Sequence, residues 1–85
     1  MRIELTSYAI RDLHKLPKSL QKRIAEKMRF YSMQPNPIKF AERLSKPAKG
    51  SFRFRIGDYR AVFDLIDGTI FILKIAKRDE VYGVV

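Results

Sequence analysis

Cysteine is absent from these 85 residues, so a disulfide framework and a thiolate metal site are both excluded. Tryptophan is absent as well, and the single histidine, His14, cannot build an imidazole zinc site. A chain without disulfides suits a reducing compartment, and the cytoplasm is the expected location. No apolar run approaches the roughly 20 residues that span a bilayer. The opening Met1-Arg2-Ile3-Glu4-Leu5 lacks the apolar block of a secretory signal. Acidic residues are scarce: nine, against eighteen Lys and Arg, for a net charge of +9. They are scattered, and the one adjacent pair, Asp79 and Glu80, has no further ligands at metal spacing. Neither a metal nor an organic cofactor is expected.

What is present is a folding sequence. Hydrophobic residues make up 46 %, with six Phe and four Tyr. The length suits one domain over residues 1–85, with a thin core. So much like charge on a small domain opposes compactness unless a polyanion uses it. Nucleic acid is the first candidate partner, an acidic protein the second, a membrane surface the third.

Arg2–Leu5 alternates and predicts a short strand. Ser7–Leu16 follows with Ala9, Leu13 and Leu16 at helical spacing, and Thr6 or Ser7 suits the N-cap. Pro17 interrupts and fits the first turn of a second helix, Pro17–Ser32. Its stripe is Leu20, Ile24, Met28 and Tyr31, with Lys18, Lys22 and Arg29 away from it. The run Gln34-Pro35-Asn36-Pro37 stops that helix. Ile38–Leu44 reads as a further helical turn, and Ser45–Gly50 as a basic loop carrying Lys46 and Lys49.

The period then changes. Ser51–Ile56 alternates strictly, Gly57-Asp58 is a two-residue hairpin loop, and Tyr59–Ile66 is the next strand. Asp67-Gly68 predicts a type I′ turn into a third strand, Thr69–Ala76. Lys77–Glu80 leaves the sheet, and Val81–Val85 is an apolar tail too short for a stable helix of its own. The expected fold is α+β: an N-terminal strand and a helical hairpin on one face of an antiparallel sheet, in the order β-α-α-β-β-β.

The tight loops set the register. Ile56 lies opposite Tyr59, Arg55 opposite Arg60, and Arg53 opposite Val62. Three arginines thus share one face, and two are directly paired. Like charges directly opposite destabilise a sheet, whereas an anion lying across the hairpin would use them, because the guanidinium fork binds phosphate bidentately. The alternative is an ordinary solvated face. Strict alternation sets Val62, Phe71, Leu73 and Ile75 beside the arginines, an apolar floor with a basic rim suited to bases and phosphates. Phe52, Phe54, Ile56, Ala61, Phe63, Leu65, Ile70 and Ile72 form the core face. An unpaired arginine cannot enter that core. The third strand is therefore expected to end or bend near Ala76, leaving Lys77 and Arg78 near the cluster.

The stretch Phe52-Arg53-Phe54-Arg55-Ile56-Gly57-Asp58-Tyr59-Arg60-Ala61-Val62-Phe63, with Ile70–Ala76 and the closing Lys77-Arg78-Asp79-Glu80-Val81-Tyr82, resembles the RelE/ParE toxin superfamily. The helical segment Leu16–Ile24 is similar too. The resemblance covers nearly the whole chain. It implies a toxin of a type II toxin–antitoxin system: a metal-independent endoribonuclease that enters the ribosomal A site and cuts mRNA. It also implies a cognate acidic antitoxin that binds the basic surface, with the free toxin a monomer. By position, Arg53 and Arg55 fall where well-known nucleases of the family carry lysines. Arg60, Arg78 and Tyr82 match family positions, and Lys77 is often a histidine in relatives. The implied catalytic set is therefore Arg53, Arg55, Arg60, Lys77, Arg78 and Tyr82. Lys46, Lys49 and Lys74 join Arg53 and Arg55 as the implied RNA-binding set.

Arginine, with a pKa above ~12, is a poor general base or acid. The two arginines at lysine positions therefore leave proton transfer unassigned, with Lys77 and Tyr82 as candidates. His14 has suitable chemistry but lies on the first helix, remote from the cluster. Two other functions compete: ParE-like inhibition of DNA gyrase without nuclease activity, and a nuclease-weak protein that chiefly binds its antitoxin. Arg60→Ala and Arg78→Ala are each expected to abolish growth arrest with the fold intact.

Overall fold

The structure is a computed structural model describing residues 1–44 and 51–82, with the backbone alone at 81 and 82. Strand β1 (Arg2–Leu5) turns Ile3 and Leu5 toward the core. Thr6 then starts α1 (Ser7–His14). Its hydroxyl accepts from the Ala9 amide at 3.3 Å and donates to the Ile72 carbonyl at 2.8 Å. One side chain thus caps the helix and pins it to a strand 66 residues away. Thr6→Ala is expected to remove about 1–2 kcal/mol of stability. A lower urea midpoint with an unchanged m-value would show it.

Helix α2 (Lys18–Ser32) begins one residue after Pro17, whose carbonyl accepts from Leu20 and Gln21 at 3.0 Å. Proline therefore stands at the N-cap, one position before the expected one. Ile24, Met28 and Tyr31 are buried, as the stripe requires. The segment expected as a helical turn divides in two. Pro37–Phe40 forms a single 3-10 turn, and Ala41–Arg43 becomes strand β2. The free edge of strand β3 (Phe52–Ile56) draws it out, because an edge presents backbone groups that need partners.

Strands β3, β4 (Tyr59–Ile66) and β5 (Thr69–Lys77) form the expected meander. Gly57 has φ +59° while Asp58 does not have positive φ, the II′ pattern; Asp67 and Gly68 are both positive, the I′ pattern. The sheet order is β1-β5-β4-β3-β2. The β1–β5 pairing is parallel, so the sheet is antiparallel except at that edge. The chain leaves the sheet after Lys77, within one residue of the expected exit, and coils directly into α3 (Arg78–Tyr82), which takes in the first two residues of the expected apolar tail; the rest of that tail lies outside the described residues. Asp79 and Glu80 occupy its first turn, where carboxylates suit the exposed amides.

Both long helices cover one side of the sheet. Ala9, Ile24, Met28 and Tyr31 meet Phe54, Ile56, Ala61, Phe63, Ile70, Ile72 and Ile75. Tyr31 stacks on Phe54 at 4.0 Å between ring centroids, and Phe54 on Phe63 at 4.4 Å. Burial raises the pKa of the Tyr31 phenol, and its hydroxyl donates to the Arg55 carbonyl at 3.4 Å.

The ladder between β4 and β5 slips by one residue. Val62 pairs with Lys74, yet Phe63 pairs with Ile72, so Leu73 is an extra residue in a β-bulge. This overturns the strict alternation expected for the third strand. Ile75 packs in the core instead of beside the arginines. Lys74, which alternation from Ile72 would send inward, stands on the outer side with Val62. The Ile75 amide donates to the Asp12 carboxylate of α1 at 3.0 Å, fastening the helix just beyond the bulge.

Candidate nucleic-acid interface

The face turned away from α1 and α2 is organised in cross-strand rows. One row runs Glu42, Arg53, Val62, Lys74 across β2, β3, β4 and β5. The next runs Arg55, Arg60, Ala76. The predicted register thus holds at Arg53–Val62, Arg55–Arg60 and Ile56–Tyr59. Arg53, Arg55, Arg60 and Lys74 come together on one face. Its floor is narrower than expected: Val62 and Ala76 are buried there, while Ile75 has moved to the other side.

The three arginines are held differently. Arg55 is exposed. The Arg53 side chain is 13 % exposed, and its Nη2 lies 3.5 Å from Glu42 Oε2. Arg60 is only 3 % exposed. Its Nη1 donates to the carbonyls of Gly57 and Tyr59, each at 2.9 Å, while its buried Nε has no hydrogen-bond partner. Arg60 therefore braces the turn that separates it from Arg55. That corrects the expectation that Arg60→Ala spares the fold, because the change frees two turn carbonyls. Helix α2 supports the same turn from the other side. The Arg23 guanidinium sits 3.3 Å from where a Cβ on Gly57 would stand. Position 57 is thus restricted by its φ and by its neighbour together.

The Arg78 amide donates to the Asp58 carbonyl at 2.8 Å, so the backbone at Arg78 is locked to this turn. Its side chain is more than half exposed, with Nε 3.8 Å from Asp79. Lys77 is not brought to the arginine face. It pairs with Tyr59, and both line a groove of about 260 Å³ beside Asp12, Lys15 and Leu16 of α1 and Glu80 of α3. The bulge is the reason, because it reverses which side each later residue of β5 takes. His14 ends α1, on the covered side of the sheet. Tyr82 belongs to α3, and its side chain, like Lys46 and Lys49, lies outside the described residues.

Two contributors escape a reading of sequence alone. Glu42 joins the arginine row only because its segment pairs as a strand, and Arg23 reaches the hairpin only through helix packing. Besides Asp12 and Asp79, two further carboxylates engage neighbours. Asp64 accepts from the Ser51 amide at 2.9 Å and hydroxyl at 3.1 Å, and Glu4 pairs with Arg2. Among the described residues no group of acidic or histidine side chains is arranged to hold a metal. Chemically, the face can bind a phosphodiester through guanidinium forks and stabilise charge that develops on its oxygens.

Comparison with known proteins gives a consistent result. The sequence profile of the family described as ParE toxin of type II toxin–antitoxin system, parDE, matches residues 3–82. Toxin RelG of Mycobacterium tuberculosis is 30 % identical over 82 residues, covering 94 % of this chain and 93 % of that one. Toxin RelE of the same organism is 32 % identical over 82 residues, covering 94 % and 84 %. Among solved structures, a RelBE toxin–antitoxin complex of M. tuberculosis superposes with TM-score 0.75 at 30 % identity, over 91 % of this chain and 96 % of that chain. The archaeal RelE–RelB complex of Pyrococcus horikoshii gives 0.68 at 29 %, over 91 % and 93 %.

Proposed function

This chain belongs to the ParE toxin family of type II toxin–antitoxin systems, and on that premise we propose that it is a RelE-type mRNA interferase, a metal-independent endoribonuclease acting in the ribosomal A site. The observation that carries the reading is Arg55 placed directly opposite Arg60, with Arg53 and Lys74 in the next row of the same face. Side-by-side cations weaken a sheet. A polyanion laid across them turns that repulsion into binding. Cleavage of RNA by its own 2′-hydroxyl needs positioning and charge stabilisation, which guanidinium groups supply. Arg53 and Arg55 bind the backbone and the transition state. Arg78, anchored to the turn, adds charge at the edge. Tyr82 is the candidate for stacking under a base.

Gyrase inhibition is the competing reading, since the family description names ParE. A protein that poisons gyrase by binding has no need for a phosphate-binding row, and the two curated relatives carry Rel names. A cognate antitoxin completes the proposal. An acidic segment, disordered when free, can wrap a surface of net charge +9 and fold there. The structural relatives above were solved with RelB antitoxins bound.

Purified protein added to a translating extract is expected to cut mRNA at ribosome-bound codons, mapped by primer extension, and to leave gyrase supercoiling untouched. Intact mRNA with supercoiling blocked would transfer the assignment to gyrase.

A further inference from the structure

Beyond the row of Arg53, Val62 and Lys74, the same face changes character. The next row carries Glu4, Phe71 and Asp64, aligned across β1, β5 and β4. Resting on the RNA-binding part of the reading above, we propose that Phe71 is the floor of a nucleobase subsite, stacking one unpaired base of the RNA, and that Glu4 selects guanine there.

Ile70 and Ile72, on either side of Phe71, are fully buried in the core, so Phe71 faces outward. Glu4 and Asp64 are its direct cross-strand partners and share that face. The ring is half-buried. Each of the other five phenylalanines meets a further aromatic ring, whereas Phe71 meets none among the described residues. An outward aromatic ring on a sheet, not stacked on another ring, is a platform for the bases of single-stranded RNA. Phe30, Met33 and Phe40 are more exposed, but they belong to the end of α2 and the 3-10 turn, not to the phosphate face.

The spacing suits one nucleotide. On β4, Val62 of the cationic row and Asp64 beside Phe71 are two residues apart, about 7 Å. A nucleotide whose phosphate rests on Arg53 and Lys74 can therefore lay its base across Phe71. Charge sorts its two halves. The cations attract the phosphate, and the carboxylates flanking Phe71 repel it. The site is also separate from Tyr82. Helix α3 follows Lys77, whose partner Tyr59 lies five residues from Asp64 on β4, about 17 Å. A base on Phe71 and a base at Tyr82 thus belong to different nucleotides.

The flanking carboxylates choose the base. Asp64 Oδ1 accepts from the amide and hydroxyl of Ser51, and Arg2 holds Oε1 of Glu4. Oε2 of Glu4 makes no hydrogen bond among the described residues. An ionised carboxylate only accepts hydrogen bonds. Guanine offers it two adjacent donors, the ring N–H and the exocyclic amino group. Cytosine and adenine each offer an amino group alone. Uracil offers one N–H set between two carbonyl oxygens, which a carboxylate repels.

The test is fluorescence anisotropy of the purified protein with short single strands of equal length: uridines alone, the same strand with one guanosine, and a ribose–phosphate strand without bases. Wild type is expected to bind the guanosine strand about tenfold tighter than the uridine strand. Phe71→Ala is expected to weaken both by about 5–150-fold, the loss of one stacked base. It should bind the base-free strand as wild type does, with the same dependence of affinity on salt, because the phosphate contacts remain. Phe71→Tyr keeps the stack and should keep the affinity. Glu4→Gln, whose amide both donates and accepts, should bring the guanosine and uridine strands within about twofold of each other. A Phe71→Ala variant that binds every strand like wild type overturns the platform, and so does one that loses only its complex with a protein antitoxin. Equal weakening on the base-free strand overturns it too, since that marks a damaged fold or phosphate row. Guanosine preference that survives Glu4→Gln overturns the choice of base. Cleavage of mRNA on programmed ribosomes is scored separately. A wild-type protein that shows the expected binding but leaves that mRNA intact overturns the nuclease reading alone, whereas one that cuts without base-dependent binding overturns this inference alone.

Discussion

Arg55→Ala is expected to abolish growth arrest at no cost in stability, while Arg60→Ala loses both together. The two residues are direct cross-strand partners, so the contrast comes from how each is held. Arg55 is exposed, and removing it relieves like-charge repulsion across the ladder. Its urea midpoint should stay level or rise slightly, within about 0.5 kcal/mol of wild type. Cleavage should fall about 10²–10³-fold, as for loss of one transition-state donor. Arg60 is buried with its Nη1 on two turn carbonyls. Truncating it leaves those acceptors without their donor and should remove about 1–3 kcal/mol besides the activity. Induced expression in growing cells reports toxicity, and urea denaturation reports stability. Full toxicity of Arg55→Ala would remove the phosphate-binding role from this face.

Phe54→Ala is expected to come close to unfolding the protein. Phe54 is fully buried, stacked between Tyr31 of α2 and Phe63 of β4. Truncation of a buried Phe costs about 3–5 kcal/mol, from lost transfer energy and the cavity left behind. A domain of this length has a total stability of only about 4–13 kcal/mol at typical values per residue. The loss is therefore a large fraction of the whole. It also removes the ring on which Tyr31 rests while its hydroxyl reaches the Arg55 carbonyl. With no tryptophan, far-ultraviolet circular dichroism in urea is the suitable probe. Phe54→Leu should retain most of the stability, and a Phe54→Ala midpoint equal to wild type would show that the stack contributes little.

Much of this architecture is legible from local chemistry. Gly57-Asp58 and Asp67-Gly68 specify turns whose backbone angles only a few residue types accept, and those turns set the β3–β4 register that pairs Arg55 with Arg60. The stripe Ile24, Met28 and Tyr31 specifies the buried side of α2 in the same way. What stays hidden depends on contacts distant in the chain. Ala41–Arg43 becomes a strand because β3 offers an open edge, not because its own pattern demands it. That single pairing delivers Glu42 to the arginine row. The burial of Arg60 follows from how it folds back on its own turn, which no spacing rule conveys. The bulge at Leu73 lies inside an uninterrupted apolar run, Ile70-Phe71-Ile72-Leu73, where an extra residue leaves no trace in the hydrophobic pattern.

Leu73 is surplus to the ladder, and what matters is that it stays bulged out of it. Upstream of it, even-numbered residues of β5 point inward; downstream, odd-numbered ones do. Taking Leu73 into a regular ladder would drive the Lys74 ammonium into hydrocarbon and strand Ile75 in water, whereas deleting it would let Lys74 follow Ile72 directly and keep its side. A different side chain at 73 would leave both where they are. Register, more than composition, therefore guards the arrangement of charge on this surface. Deletion of Leu73 should accordingly be tolerated about as well as its substitution, with Lys74 still on the outer side and Ile75 in the core.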